Sequence, residues 1–590
     1  MILNKMEKMQ EDILKVDELV VRNSKGVNDD MVIQKSNRYI DVVAVFLLVI
    51  LELLFFRNVI FSDGLIGNRM DGRYTNLIAE HWYEFFSGKV SLGYLPEFYP
   101  LTYWGFTSSD LLMLNGVIHS FFRFLGFGIY DAYKFAIIII HFFGTICMYY
   151  FLNKKIGIKP VWALMGTCIF SFSNNYAVKI YHTQLVVFSL IPFMLILVVG
   201  FVKNYSIRYK RNIYAFSLIT MMAIGAYTGW YMIYFFVLFC MLSLILYSFS
   251  LKFRVKITWK TQFNIVKKMG VDILYYVLFG IVILLPFLCI YLPALGQSNG
   301  GWGWKVTTYY IPSIKDLINF GSGHMIFGNL FQFDPMDTTE FLGGISPIVL
   351  ICILISMVYF IITSKTKDNK GIFELFLSIF IIAVVLLLCT VKIDNSYISL
   401  WYLFYKFCPV ASSIRAVGRM WLFLLLPFSI CISYVLDQSF RETSYSKSMV
   451  IGFVLLILVI LFDFRVDGVY SNWSSDKENN YMARIGESIP DDAYLFFIIN
   501  TDELVDDFAI PDEYQADALA IAQQFDMCTI NGLTGVYPEK YTGLLWYVSY
   551  DDYIYGVAEW IYDHKIAERG FDYIYQYDVY TNTWTKFVFE

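Results

Sequence analysis

Apolar residues run along this chain in long blocks separated by short polar connections. A membrane-spanning helix needs about 20 apolar residues, and eleven blocks are read as spans: 40–61, 134–152, 160–174, 185–202, 213–228, 231–250, 270–293, 344–363, 371–391, 419–436 and 449–465. The pair 213–228 and 231–250 is separated only by Tyr227-Thr228-Gly229-Trp230, so it reads as two helices or as one broken element. The first block starts too far in and runs too long for a cleavable signal peptide. The predicted fold is a polytopic α-helical membrane protein with a small α/β domain at its C-terminal end.

Three polar stretches are long: 62–133, 294–343 and 466–590. In the first, Tyr74, Leu77, Ile78, Trp82, Phe85 and Phe86 recur at helical spacing, with Asn76, Glu80 and Glu84 on the opposite face. That pattern predicts an amphipathic helix lying in the membrane interface. Leu111, Leu112, Val117, Ile118, Phe121, Phe122 and Leu125 predict a second one. In the tail, Asp476–Ser488, Asp512–Phe525 and Tyr550–Ala567 read as helices, and Tyr494–Ile499, Phe571–Tyr577 and Trp584–Phe589 as strands. The expected organisation is a segment 1–39, a membrane domain 40–465 whose loop 62–133 carries the interface helices, and a domain 466–590.

Basic residues give the orientation. Lys and Arg crowd the segment before the first span and alternate connections after it, whereas 62–133 holds only Arg69, Arg73, Lys89 and Arg123. The positive-inside rule then sets the N-terminus in the cytoplasm and the C-terminus outside the cell membrane.

Composition narrows the class. Apolar types make up 57% of the 590 residues and charged types 16%, against about 25% charged in soluble proteins. This excludes a soluble globule and a disordered chain. With 45 basic and 50 acidic residues the net charge is −5, which argues against nucleic acid as a partner. Nine Cys are scattered without a Cys-x-x-Cys, so neither a disulfide framework nor a zinc site is indicated.

The candidate chemistry lies at the outer face. Within the spans only Glu52 and His141 are ionisable and far from the ends, where an ion-coupled transporter places several such groups. Outside, Asp63, Asp71, Asp110, His182, His324, Asp334, Asp337, Glu340, Arg415 and Arg419 gather instead. Each has a plainer use. Asp71 and Asp110 stand where an acid caps a helix. Arg415 and Arg419 could snorkel to headgroups. Glu340, His182 and His324 could be ordinary loop residues, and Trp302 and Trp304 interface anchors.

Arg69-Met70-Asp71-Gly72-Arg73-Tyr74 follows the first span, and Phe170-Ser171-Phe172-Ser173-Asn174-Asn175 precedes His182 and Ile191-Pro192. Glu340-Phe341-Leu342-Gly343-Gly344 opens a later span, and Pro409 leads into Arg415 and Arg419. Asn531-Gly532-Leu533-Thr534-Gly535 and Pro538 lie in the tail. Together these segments resemble the GT-C class of membrane glycosyltransferases, closest to its YfhO-like bacterial branch, over most of residues 40–540.

The resemblance implies transfer of a sugar from a polyprenyl-phosphate carrier to an extracytoplasmic acceptor such as a cell-surface glycan. It implies Asp71 or Glu340 for the catalytic carboxylate, and Arg415, Arg419, His182 and Asn531 for substrate binding. From the residues themselves, Asp110 is a further candidate acid, His324 a further polar candidate for substrate binding, and Trp302 and Trp304 could stack a sugar ring. The partners it implies are the lipid-linked donor, the bilayer, a polyprenyl-phosphate glycosyltransferase and a small flippase. The class's acid pair spaced by one residue is absent, since Asp71 is followed by Gly72-Arg73. No metal ligands are assigned, and a divalent cation stays open as a cofactor. A glycan polymerase or ligase, and a non-enzymatic binder or transporter of a lipid-linked glycan, remain alternatives.

Overall fold

The structure is a computed structural model, and it describes residues 27–255, 259–297, 301–328, 330, 339–364, 370–393, 396–463, 465, 469, 473–501, 512–544 and 549–589. The acids Asp334 and Asp337 and most of the basic N-terminal segment lie outside the described residues.

Helix follows helix through the first three quarters of the chain: α1 Val27–Phe55, α2 Asp71–Phe86, α3 Met113–Phe124, α4 Ile129–Tyr150, α5 Pro160–Ser171, α6 Asn174–Lys179 and α7 Ile191–Lys203. Then come α8 Arg208–Val255, α9 Trp259–Gln297, α10 Pro347–Thr363, α11 Lys370–Cys389, α12 Met420–Ser439 and α13 Tyr445–Asp463. Among the described residues, seven helical stretches are long and apolar enough to cross a membrane, and Pro347–Thr363 is a shorter apolar helix. The chain is a membrane protein. Helices stand at all eleven expected positions, but α5 has 12 residues, a rise of about 18 Å, and is buried throughout. It is shorter than a bilayer crossing and is wrapped by its neighbours.

The broken element resolves at Gly229. Its φ −167 and ψ 92 interrupt α8, and a Cβ there would stand 2.5 Å from the Gln184 carbonyl oxygen, so only glycine allows the approach. A Cβ on Gly225 would meet the Ile233 side chain at 2.4 Å. Eight residues of continuous helix span about 12 Å, so the chain doubles back. The first arm also runs parallel to α9: Arg208 pairs with Asp272 at 2.6 Å, Tyr276 with Asn212 at 2.6 Å, and Tyr227 with the Phe287 N–H at 2.9 Å. The element is therefore two helical arms rather than one straight helix.

The bundle has two distinct ends. At one, Lys154 meets Asp41, Arg208 and Arg211 clasp Asp272, and the Lys159 N–H donates to Asp437. At the other lie loop 62–133 and the tail. Between them, Glu52 meets His141 at 2.7 Å, and the second ring nitrogen of His141 faces the Ser171 carbonyl at 3.0 Å. The buried acid is thus paired, and its partner His141 stacks on Phe55.

The tail builds α14 Ser475–Gly486, β1 Leu495–Ile499, α15 Asp512–Gln524, β2 Cys528–Thr529, α16 Tyr550–Asp563, β3 Tyr573–Asp578 and β4 Thr583–Val588. The sheet order is β2-β1-β3-β4, with β1 parallel to both neighbours and β4 antiparallel to β3. β1 is buried at every position, as a central parallel strand covered on both faces must be. The sheet edge beyond β2 is covered by the outer loop. The Thr529 N–H donates to the Pro96 carbonyl at 2.9 Å, and the N–H groups of Tyr99 and Phe98 donate to the Thr529 and Asn531 carbonyls, each at 3.0 Å.

This docking changes the character of α2. Its polar face, which the pattern leaves to water, is buried. Glu80 is held by Arg123 and His119, and Glu84 accepts from Gln523 of α15 at 3.1 Å. Arg73 is 1% exposed and pairs with Glu478 and Asp517 of the tail. An ion pair this buried has to be fully matched, and here two acids face Arg73, with Arg69 joining at 3.0 Å from Asp517.

Candidate functional site

Asp71 is the first residue of α2, yet it does not cap it. The Asn68 side-chain oxygen accepts from the Asp71 N–H at 2.6 Å and the Gly72 N–H at 3.3 Å. The Asp71 carboxylate turns instead toward His182, whose Nδ1 lies 3.2 Å away, and keeps 38% of its side-chain surface exposed. His182 Nε2 lies 3.4 Å from the Glu340 carboxylate. Glu340 in turn accepts from Arg419 through Nε at 2.9 Å and a terminal nitrogen at 2.7 Å. Four residues from four separate segments thus form one chain: Asp71, His182, Glu340 and Arg419.

Each segment is held for a local reason. Segment 172–183 brings His182 across because Ser173 caps α6, its side chain accepting from the Tyr176 N–H. Glu340 sits in a short turn whose Gly343 lies against Trp421 and the Asp316 carbonyl, where a Cβ would come within 2.3 Å. Arg415 precedes, and Arg419 ends, the turn Val417–Arg419 that opens α12.

Arg415 is placed differently from Arg419. Its guanidinium lies 4.8 Å from the Trp302 ring centroid and 5.1 Å from that of Tyr310, within cation–π range. Among the described residues it makes no ion pair. Arg419 is buried, committed to Glu340, and 5.6 Å from the Tyr231 ring. Neither arginine is simply an anchor to headgroups.

The charges set the protonation of the acids. Burial would raise Asp71, but the hydrogen bond and charge of His182, with Arg419 and Arg415 behind it, outweigh that and hold it below the usual range. Burial would likewise raise Glu340, yet Arg419, His182 and Lys179 hold it at about 2. Asp110 has no such neutralising contact: burial pushes it up to about 6 against the pull of Arg419 and His182. Lys179 is pushed by burial down to about 8, and its Nζ donates to the carbonyls of Glu340 and Leu342 at 3.4 and 3.5 Å.

The structure thus gathers Asp71, Asp110, His182, Glu340, Arg415, Arg419 and Trp302. It separates three other candidates from them. Trp304 packs edge-on to Tyr402 and tilted against Tyr405, and donates to the Tyr397 carbonyl at 3.0 Å. His324 Nδ1 accepts from two backbone N–H groups, and its Nε2 faces the Phe462 carbonyl at 3.2 Å. Asn531 is enclosed in the tail, accepting from the Ile498 N–H and donating to Gln515 and Tyr553. Lys179, Tyr231 and Tyr310 join the site without having been singled out in the sequence. The signal for Lys179 was a lone cation between Val178 and Ile180; Tyr231 and Tyr310 gave none among 45 tyrosines.

Among the described residues no three of His, Cys, Asp and Glu come together as a metal-binding group. Arg419 and His182 both address Glu340 Oε1, and Oε2 has no hydrogen-bond partner.

No family model matches the chain, and no curated protein matches it. Among solved structures it is similar to the crystal structure of ArnT from Cupriavidus metallidurans in the apo state, at 12% identity over 83% of this chain and 84% of that chain, with a TM-score of 0.36.

Proposed function

We propose that this protein is a membrane glycosyltransferase of the GT-C type, moving a sugar from a polyprenyl-phosphate carrier to an acceptor outside the cytoplasm. The observation that carries the reading is an ionised, half-exposed Asp71 standing within electrostatic reach of a separate guanidinium, Arg415, at the same end of an apolar bundle. A sugar phosphate brings its own leaving group. The protein must take one proton from the acceptor hydroxyl and hold the departing phosphate.

In this reading the acceptor oxygen bonds to C1 of the sugar as the C1–O bond to phosphate breaks. The acceptor's proton passes to an Asp71 carboxylate oxygen. The electron pair of the broken bond leaves on the polyprenyl phosphate, which Arg415 holds with its planar fork of donors. Trp302 and Tyr310 keep that guanidinium flat and in place. His182 orients Asp71, and the Glu340–Arg419 pair fixes His182 from the other side. The tail, residues 466–590, is read as an extracytoplasmic domain that fixes α2, and so Asp71, through Arg73.

The test is turnover itself. Purified protein in liposomes is given a radiolabelled polyprenyl-phosphate sugar and an acceptor glycan fraction. Label moving into the glycan with release of polyprenyl phosphate is expected. Donor binding without release would leave a binder rather than a transferase.

A further inference from the structure

The break in α8 gathers three hydroxyl groups, those of Tyr227, Thr228 and Tyr231, and each of them both donates and accepts. Tyr227 donates to the Ile283 carbonyl at 3.0 Å and accepts from the Phe287 N–H at 2.9 Å. Thr228 donates to the Ile224 carbonyl at 2.7 Å and accepts from the Leu114 N–H at 3.1 Å. Tyr231 donates to the Ser413 carbonyl and accepts from the Arg415 N–H, both at 3.2 Å. Their partners lie on three elements: α9, the first turn of α3, and the loop that leads into α12. Gly229 stands between Thr228 and Tyr231, so these two hydroxyls belong to different arms. Of the three, that of Tyr231 reaches the backbone of a residue in the site.

The loop before α12 is held from outside. Val410 carries φ 66, a left-handed conformation that a β-branched residue keeps only where its surroundings impose it. The short turn Ala411–Ser413 follows. The Trp302 N–H donates to the Ser412 carbonyl at 2.9 Å, and Tyr231 takes the next carbonyl and the Arg415 N–H. Arg415 is thus fixed at both ends. Trp302 and Tyr310 lie against its guanidinium, and Tyr231 fixes the backbone from which its side chain starts. The Tyr231 ring also lies 5.6 Å from the Arg419 guanidinium, a contact that survives loss of the hydroxyl.

We propose that Tyr231 is a positioning residue of the donor site, whose hydroxyl holds Arg415 where the phosphate of the lipid-linked donor meets it. This rests on the reading of Arg415 as the phosphate-binding group.

Binding of polyprenyl phosphate to the full chain in detergent, measured by isothermal titration, tests it without any transfer, with thermal melts of every variant alongside. Tyr231→Phe should weaken binding by about three- to tenfold. In transfer assays it should raise the donor KM more than it lowers kcat. Thr228→Val removes two hydrogen bonds from the same turn but none to the Arg415 loop. It should lower the melting temperature and keep the wild-type affinity. In an Arg415→Ala background, Tyr231→Phe should weaken binding no further, since the group it positions is gone. Equal weakening by Tyr231→Phe and Thr228→Val would show that the turn only holds the bundle together. An additive loss in the Arg415→Ala background would show that Tyr231 acts through another group. Either result overturns the proposal, as does wild-type affinity in Tyr231→Phe beside weak binding by Arg415→Ala; all three leave the phosphate reading of Arg415 standing. Unchanged binding by Arg415→Ala would overturn that reading and this proposal with it.

Discussion

His182 Nδ1 stands 3.2 Å from the carboxylate of Asp71, and this relationship joins the outer loop to the segment between α6 and α7. It also releases Asp71 from the local role its position suggests. Asn68 satisfies the first N–H groups of α2, so the Asp71 carboxylate answers to a charge chain and to solvent rather than to its own helix.

Asp110 is the rival base, because burial raises it to about 6 and a base works best near the operating pH. A carboxyl with that value is mostly ionised at pH 7.5 and becomes neutral as the pH falls through 6. On the present account Asp110 tunes the site and Asp71 takes the proton. Asp110→Asn should therefore lose well under the about 10²-fold that a missing base costs, and should remove any acid limb near pH 6 from the rate profile. A loss of about 10²-fold or more, measured from pH 5 to 8, would move the base to Asp110.

The two arginines should fail in different ways. Arg415 is the guanidinium without an ion pair among the described residues, so Arg415→Ala should raise the KM for the lipid-linked donor and slow phosphate departure. Arg415→Lys should recover only part of this, since an ammonium lacks the planar fork. Arg419→Ala leaves the Glu340 carboxylate buried beside His182 without its closest cation. A buried charge stripped of its partner costs about 3–5 kcal/mol, so the unfolding midpoint should fall in step with activity. Steady-state kinetics beside thermal melts in detergent separate the two.

Arg73 joins the tail to the helix that begins at Asp71. Arg73→Met leaves Glu478 and Asp517, which are 3% and 0% exposed, with only the half-buried Arg69 as counter-charge, and should cost up to about 3–5 kcal/mol. Limited proteolysis should then release the tail at protease levels that leave the wild type intact. Survival of the docked tail in Arg73→Met would mean that the strand-like pairing of 96–99 with Thr529 and Asn531 suffices to hold it.

Much of this arrangement was legible in the sequence. Spans come from apolar block length, and charge at their ends follows from what a bilayer excludes. β1, α15 and α16 were readable because their periods are local. The return at Gly229 was ambiguous, since a helix broken at one residue keeps its apolar pattern on both arms. The site was half legible. Asp71, Glu340, Arg415 and Arg419 stand out as charges next to apolar runs, but their pairing depends on contacts between residues up to 158 apart, from His182 to Glu340. Asn531 misled because a Gly-flanked polar turn looks like a binding loop. Gly532 is needed there for close approach, as a Cβ would stand 2.4 Å from the Phe98 ring. His324 misled because an exposed histidine and one that closes a turn have the same sequence context.

The central claim is that Asp71 takes the acceptor's proton, and the rate of the Asp71→Asn variant tests it most directly. Asparagine keeps the size and can still face His182, and Asn68 still caps α2, so expression and melting temperature should match the wild type. Single-turnover transfer from a labelled polyprenyl-phosphate sugar should fall by about 10²- to 10⁴-fold while donor binding is retained. Transfer at the wild-type rate in a folded Asp71→Asn protein would contradict the account.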